Sequence, residues 1–462
     1  MNNAAPAAVP DTPPAPPRLR AFAITAVVVL LIAQQAMLWW LYYHAGAKDL
    51  VGDEGRYWNV AQSILAGGPW HPSDIWPPAQ PLFIAMVLLF GGGLLAVQVV
   101  QTLLLAGCAW LIWHLSRRVT GNALAAAIAA ALFVLAPSNA AYAHYLWPEI
   151  THLFFLLLAL DLLLARRVRP LLALAAGVSI GLALMFKSLL TAFWPLLLVC
   201  FVVNWRPLKI HWRAASVFVV ALAATVAPAV IAGHRNTGHW SIADSSAINL
   251  LIGLGVPDRN DYISWPGSHL FEQYVASGAT PDERNAWAWQ QVDERLQARP
   301  LATTLWQQLS KQYFRLLESK TLLLTQLPGP ACAGYLGVYH DVPPWLALTA
   351  RWSSHLFHAL ILAGFAFGVC LWRDWRSSAA WLLLAFVGYQ AALYLGLLAI
   401  ARYMLQFMPV FCLFAGVAFA RVWQAQRGAA VSYGRLAAGA LFASLLLWLA
   451  FAGPWLDGYC RA

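Results

Sequence analysis

The residues best suited to chemistry in this chain are charged side chains and two tyrosines set among long apolar runs. The stretch GDEGRY places four of them just after the first run: Asp53, Glu54, Arg56 and Tyr57. The others are Glu149, Lys187, Arg235 and the pair Arg402–Tyr403. Charge at membrane depth is expensive and is usually kept for function. A carboxylate takes a proton from an attacking hydroxyl while cations hold a departing phosphate, so the set is suited to that displacement.

Five of these residues also have a structural interpretation that the sequence leaves open. Asp53 and Glu54 are suited to capping a helix that begins near Gly55, because an acid stabilises the helix N-terminus. Glu149 follows Pro148 and is suited to a first helical turn. Two cations have interpretations of the same kind: Lys187 snorkelling at a helix end and Arg402 binding an outer lipid headgroup.

The composition places these residues in a membrane protein. Apolar residues make up 61% of the 462 residues and charged residues only 10%, against about 45–50% and about 25% in soluble domains. The net charge of +10 lies in short basic clusters between apolar runs, which is typical of orientation signals and not of a nucleic-acid surface. We therefore expect membrane lipids as partners and no nucleic acid.

The apolar runs predict an all-α polytopic fold with about eleven transmembrane helices. The predicted spans are roughly 21–43, 92–115, 122–137, 148–165, 170–186, 189–204, 213–233, 352–372, 377–399, 403–422 and 434–454. Segment 81–90 is too short to span and predicts an interfacial or re-entrant helix in the first outer loop. A larger outer region contains amphipathic helices broken at Pro300.

Basic residues predict the orientation. With the N-terminus in the cytoplasm, every inner connection carries at least two Lys or Arg, whereas the short outer connections carry only Lys187 and Arg402. The resulting organisation has five parts: a disordered cytoplasmic tail 1–20, an N-terminal transmembrane catalytic module 21–233 with outer loop 44–91, an outer region 234–350, C-terminal transmembrane helices 351–455 and an outer tail 456–462. In this topology all the candidate residues open toward the outer face.

Several kinds of site find little support in the sequence. No GxxxxGK[ST] or GxGxxG loop is present, and neither is CxxC or HExxH spacing. His144 and His152, on either side of Glu149, are suited to interfacial hydrogen bonding or to a metal. Cys332 and Cys460 both map outside, and a disulfide between them is left open.

Taken in order, the motifs resemble the GT-C superfamily of integral-membrane glycosyltransferases, especially the protein O-mannosyltransferase-like and lipid A aminoarabinose transferase-like groups. The matching stretches are GDEGRYWNVAQSILAGG, IWPPAQPLFIAM, HRNTGHWSIADSSAINLLIG and RYMLQFMP. Two positions depart from the pattern. Trp76 stands where many members carry a cation, and FKS around Lys187 replaces a TKG-like turn.

The resemblance implies a role for each candidate residue. Catalytic roles fall to Asp53, Glu54 and Glu149; donor phosphate binding to Arg56, Lys187, Arg235, Arg402 and Tyr403; and substrate binding to Tyr57, Asn236 and Asn249. The implied donor is a polyprenyl-phosphate sugar, and the acceptor is a glycan, lipid or protein. The implied place is the periplasmic side of a bacterial inner membrane. No cofactor is certain, although some relatives bind a divalent ion such as Mg²⁺ or Mn²⁺ at the acidic pair.

Two other classes of function stay open. A transporter or flippase of lipid-linked sugars is consistent with many spans and a basic rim, but such proteins usually place ionisable groups near the midplane and often show inverted halves. An outer-face glycan ligase or polymerase requires the same cations but not an acidic loop directly after the first span.

Overall fold

The computed structural model describes residues 17–456 except 45, 47, 51, 74, 166–168, 202–210, 256–265, 320–322, 324–326, 328–341 and 376. Its α-helices, numbered in chain order, are α1 Pro17–Tyr43, α2 Asp53–Leu65, α3 Ala79–Leu89, α4 Leu94–Thr120, α5 Ala123–Leu135, α6 Pro137–Ala141, α7 Glu149–Leu163, α8 Pro170–Phe186, α9 Trp212–Thr237, α10 Ser246–Gly255, α11 Pro266–Ala276, α12 Pro281–Gln297, α13 Leu301–Leu317, α14 Pro344–Leu371, α15 Ser378–Gly396, α16 Met408–Ala425 and α17 Tyr433–Leu456. None of the described residues lies in a β-strand. Both Cys332 and Cys460 fall outside the described residues.

The chain is an all-α polytopic membrane protein, as its composition predicts. Seven described helices are long and apolar enough to cross a membrane, or eight if the pair Ala123–Leu135 and Pro137–His144, bent by 59°, forms one span. The bend lies at Pro137, which cannot donate a backbone hydrogen bond to the preceding turn. Two other predicted spans correspond to the shorter helices α7 and α8. The predicted count of eleven stays a prediction.

The segment predicted to span at 189–204 has a different local structure. In its described part the chain forms 3₁₀ turns at Ser188–Leu190 and Trp194–Phe201 in place of one α-helix. Pro195 provides a physical reason, because its ring clashes with the carbonyl four residues earlier and it has no N–H to donate. The irregular segment therefore begins directly after Lys187, at the end of α8.

The predicted short helix of the first outer loop is present as α3, bounded by Pro78 and Phe90. Farther along the chain, α12 and α13 are separated at Pro300, where the sequence predicts a break. A capping box fixes the start of α12, since Thr280 and Glu283 each accept a backbone N–H of the other residue. Together with α10 and α11, α12 buries a small separate core that includes Leu251, Tyr274 and Val292.

The C-terminal helices pack through a close backbone approach. Helices α14 and α16 meet where Gly368 lies against Phe414, and a Cβ on this glycine would clash with the Phe414 carbonyl oxygen. Small residues at such crossings allow membrane helices to approach closely.

We expect Gly368→Ala to destabilise the protein, by about 1–3 kcal/mol if the helices shift to accept the methyl group. Gly388→Ala in α15 is the matched control, because nothing lies within 4 Å of its new Cβ. Thermal unfolding of both variants in the same detergent measures the effect. Equal melting temperatures for the two variants would contradict the close packing of α14 on α16.

Candidate active site

Four charged residues from distant parts of the chain meet at helix ends. Asp53 and Glu149 are the first residues of α2 and α7, and Lys187 directly follows α8. Arg402 lies in the 3₁₀ turn Ala401–Gln406 that precedes α16. Helix starts favour acids, whose charge complements the helix dipole. Because the backbone changes direction at such places, side chains from separate helices can converge there.

The first contact of this charged cluster joins Asp53 to Arg402. Arg402 donates through Nη1 and Nη2 to Asp53 Oδ2, at 3.3 and 3.4 Å, across 349 positions of sequence. The Asp53 side chain stays 33% exposed, whereas that of Arg402 is 19% exposed. The carboxylate is thus held by a cation and still open to a ligand.

The second contact joins Glu149 to two cations. Lys187 Nζ donates to Glu149 Oε1 at 2.9 Å, and Arg402 Nε lies 3.9 Å from the same oxygen. Glu149 is 2% exposed, and its Oε2 has no hydrogen-bond partner in another described residue. A buried carboxylate oxygen without a partner is costly. It is therefore suited to accepting a hydrogen bond from a ligand hydroxyl.

Aromatic rings form the walls beside the cations. Lys187 Nζ lies 5.0 Å from the centroid of the Tyr403 ring, and Arg402 Cζ lies 5.0 Å from that of Trp147. Tyr394 stacks on Tyr403 at 5.1 Å between centroids. Such rings attract cations and exclude water, which strengthens the charge interactions inside.

Tyr57 is buried one helical turn after Asp53. Burial, and then the negative charges of Asp53 and Glu149, raise the pKa of its phenol well above the usual value. The hydroxyl group therefore stays protonated at neutral pH and acts as a hydrogen-bond donor.

Glu54 lies beside Asp53 in sequence but has a separate set of partners. It is fully buried, and its carboxylate accepts hydrogen bonds from Lys48 Nζ at 2.5 Å and from the Leu146 backbone N–H at 2.8 Å. Leu146 lies just before Trp147, whose ring contacts Arg402. Glu54 thus ties the first outer loop to the segment that leads into Glu149.

Three of the other four candidates contact residues outside the charged cluster, and the fourth is exposed. Arg56 lies over the Trp76 ring at 3.7 Å, and Arg235 is exposed near the end of α9. The Asn236 side chain donates to the His71 carbonyl oxygen at 2.8 Å. Asn249 accepts a bond from the Leu398 N–H through its backbone carbonyl. Their predicted roles in binding phosphate or substrate stay predictions.

His71 joins the first outer loop to the segment that follows α9. It is 2% exposed, and its Nε2 lies 2.8 Å from the Ile242 carbonyl oxygen, a contact that requires Nε2–H to donate. Burial lowers the pKa of this imidazole. Folding therefore favours the neutral ring, and stability should fall as the pH drops below about 6.5 toward the lower folded-state pKa.

We expect His71→Gln to reduce the loss of stability at acidic pH, because glutamine keeps a hydrogen-bond donor but does not titrate. Melting temperatures of both proteins between about pH 5 and pH 8 measure the slopes. Parallel slopes for the two proteins would mean that His71 does not cause the dependence.

Sequence reasoning missed Lys48 and Trp147 as parts of the site's support. Lys48 stands six residues before Glu54, a spacing that carries no recognisable motif. Trp147 directly precedes Pro148 and Glu149, and that proximity was the available signal. Asp161, in α7, pairs with His114 and Arg118.

The described residues include no group of three or more His, Cys, Asp or Glu side chains placed to hold a metal ion. Asp53 and Glu54 contact different cations, Arg402 and Lys48. His144 and His152 are both buried, and His152 Nδ1 lies 2.8 Å from the Ala183 carbonyl oxygen.

Neither a scan against protein-family models nor a search of curated proteins finds a match. Among solved structures, the chain is similar to the archaeal oligosaccharyltransferase AglB from Archaeoglobus fulgidus, in complex with an inhibitory peptide and a dolichol-phosphate. The identity is 15%, the TM-score is 0.45, and the match covers 95% of this chain and 56% of that one. The chain thus spans about half the length of AglB.

A second solved structure similar to this chain is ArnT from Cupriavidus metallidurans bound to undecaprenyl phosphate. The identity is 16%, the TM-score is 0.38, and the match covers 88% of this chain and 79% of that one.

Proposed function

We propose that this chain is an inverting glycosyltransferase that moves a monosaccharide from a polyprenyl-phosphate donor to an acceptor hydroxyl. One observation carries the proposal. Asp53, Glu149, Lys187 and Arg402 meet in one cluster in which a partly exposed carboxylate lies beside two partly buried cations. A carboxylate that takes a proton and cations that receive a phosphate are the two requirements of this displacement.

The donor phosphate binds to Lys187 and Arg402. Both cations are held by carboxylates in the structure, so the incoming phosphate competes with Glu149 and Asp53 for their N–H groups. Arg402 has a planar set of donors suited to two phosphate oxygens at once. As Arg402 turns toward the phosphate, the Asp53 carboxylate is released and becomes a stronger base.

In the transfer step, the acceptor oxygen attacks the anomeric carbon from the face opposite the phosphate. The new carbon–oxygen bond forms as the carbon–oxygen bond to phosphate breaks, and that electron pair stays on the phosphate. The acceptor proton passes to Asp53. One displacement inverts the anomeric configuration. Lys187 and Arg402 stabilise the charge that develops on the phosphate, each contributing on the order of 3 kcal/mol.

The remaining residues position this machinery. Glu149 keeps Lys187 near Arg402, and its Oε2, which has no partner in another described residue, accepts a hydrogen bond from a hydroxyl of the sugar or the acceptor. The protonated Tyr57 hydroxyl, one helical turn after Asp53, donates a hydrogen bond to the ligand. Glu54, bound to Lys48 and to the Leu146 N–H, holds the first outer loop against the segment before Glu149. The site faces the periplasm in the orientation that the basic residues predict.

Reconstituted protein supplied with polyprenyl-phosphate monosaccharides and with envelope extract from cells that lack the protein tests the proposal. We expect release of polyprenyl phosphate together with a sugar-bearing product, identified by mass spectrometry. Movement of intact donor across the vesicle membrane without loss of sugar would instead support a flippase. Transfer only from lipid diphosphates carrying whole glycans would support a ligase.

A further inference from the structure

A second charged cavity lies where α14 and α16 end and α17 begins. Its volume is about 430 Å³, and it is lined by Arg373, Arg421, Arg435, Ser432, Leu371 and Val431. We call it the arginine cavity. It brings together three guanidinium groups from three separate segments of the chain.

The arginine cavity is remote from the charged cluster described above. Arg402 lies just before the start of α16, whereas Arg421 lies in the last turns of that helix. At a rise of 1.5 Å per residue the two arginines are at least about 20 Å apart along the helix axis. The cavity therefore opens at the other end of the helix bundle and takes no part in the proposed transfer.

The hydrogen bonds of the three arginines to described residues all go to neutral groups. Arg373 donates to the Ala430 carbonyl at 2.9 Å, and Arg435 donates to that of Trp372 at 3.2 Å. Arg421 donates to the Gln424 side chain at 3.1 Å. All three acceptors are neutral, and no acidic side chain is among the described lining residues. Each guanidinium has five N–H donors, so most remain available to a ligand.

Topology accounts for basic residues at this end of the bundle but not for their convergence. Three other arginines of the predicted inner face each lie near the ring of a neighbouring residue: Arg117 on Trp113, Arg213 on Trp212 and Arg427 on Trp423. An orientation signal needs only the number of charges, and like charges that share a cavity repel each other. Convergence in one cavity therefore indicates an anionic ligand.

We propose that the arginine cavity binds the phosphate group of an anionic phospholipid from the adjacent leaflet. Guanidinium groups bind phosphate oxygens in pairs, and the Ser432 hydroxyl adds a donor. Leu371 and Val431 supply an apolar wall for the first carbons of the lipid. The cavity lies at the ends of membrane-crossing helices, where lipid headgroups are available. A free phosphate ion has no apolar group to contact the Leu371 and Val431 side chains.

The test compares two triple variants of the full chain with the same loss of charge. R373Q/R421Q/R435Q empties the cavity of cations, and R117Q/R213Q/R427Q removes the three scattered arginines. Native mass spectrometry of detergent-purified protein titrated with phosphatidylglycerol measures binding. We expect the first variant to bind about a hundredfold more weakly, about fivefold for each arginine, and the second to bind within about threefold of wild type.

Further arms separate the sources of phosphate. Inorganic phosphate at the same concentration should not displace phosphatidylglycerol, and zwitterionic phosphatidylcholine should bind more weakly. Displacement by inorganic phosphate would overturn the assignment to a lipid. Equal loss of binding in the two triple variants would overturn the site itself. Single R373Q and R435Q variants, each at an exposed position, provide the same comparison if the triple variant fails to fold.

Discussion

Asp53→Asn is expected to reduce sugar transfer by about 10²–10⁴-fold, the range typical of a lost general base. Asparagine keeps the shape of the side chain and still accepts a hydrogen bond from Arg402, but it does not take the acceptor proton. The ion pair with Arg402 is partly exposed, so its loss should change the free energy of unfolding by no more than about 1 kcal/mol. Release of polyprenyl phosphate and the melting temperature, measured on the same preparation, separate the two effects.

Asp49→Asn is the matched control for this prediction. Asp49 lies in the same outer loop and is exposed, and the hydrogen bond that it accepts from Lys48 is made by its backbone carbonyl. We expect this variant to transfer sugar at the wild-type rate. Transfer by the Asp53→Asn protein at that same rate would remove Asp53 from the mechanism.

Lys187→Met is expected to lower both stability and transfer. It leaves Glu149, 2% exposed, with Arg402 Nε at 3.9 Å as its nearest remaining cation. Removing one partner of a buried ion pair costs about 3–5 kcal/mol, and the remaining arginine places this variant near the lower value. Loss of a cation at the donor phosphate should reduce the transfer rate by about 10²–10³-fold.

The double variant Lys187→Met with Glu149→Gln separates structure from chemistry. Removing both charges relieves the unpaired buried carboxylate, so most of the lost stability should return. Transfer should stay low, because the phosphate still lacks its lysine. Recovery of transfer together with stability would show that Lys187 serves only to keep Glu149 folded in place.

The candidate residues were accessible from the sequence because charge is scarce in this chain. Only 10% of the residues are charged, so an acid or base at the edge of an apolar run is visible without any alignment. This reasoning selected Asp53, Glu149, Lys187 and Arg402, which the structure brings together. It also selected Arg56, which lies over the Trp76 ring. Asn236, which donates to the His71 carbonyl oxygen, was implied only by the resemblance.

The sequence was less informative about the partners of these residues. Nothing local distinguishes Asp53 from Glu54, yet one contacts Arg402 and the other is buried against Lys48. Adjacent residues on a helix point about 100° apart, so their surroundings depend on what packs against each side. The 3₁₀ turns after Lys187 were missed for a related reason, since their residues are as apolar as those of a spanning helix.

By itself the sequence determined that this protein crosses a membrane many times, because apolar run length is a local property that the bilayer selects directly. It also determined which charged side chains lie at membrane depth, where their free-energy cost indicates a function. Only the tertiary structure decided that Asp53 meets Arg402 across 349 positions and that three distant arginines share one cavity. Such long-range contacts depend on how the helices pack against one another, and helix packing is fixed by the complementary shapes of many side chains at once.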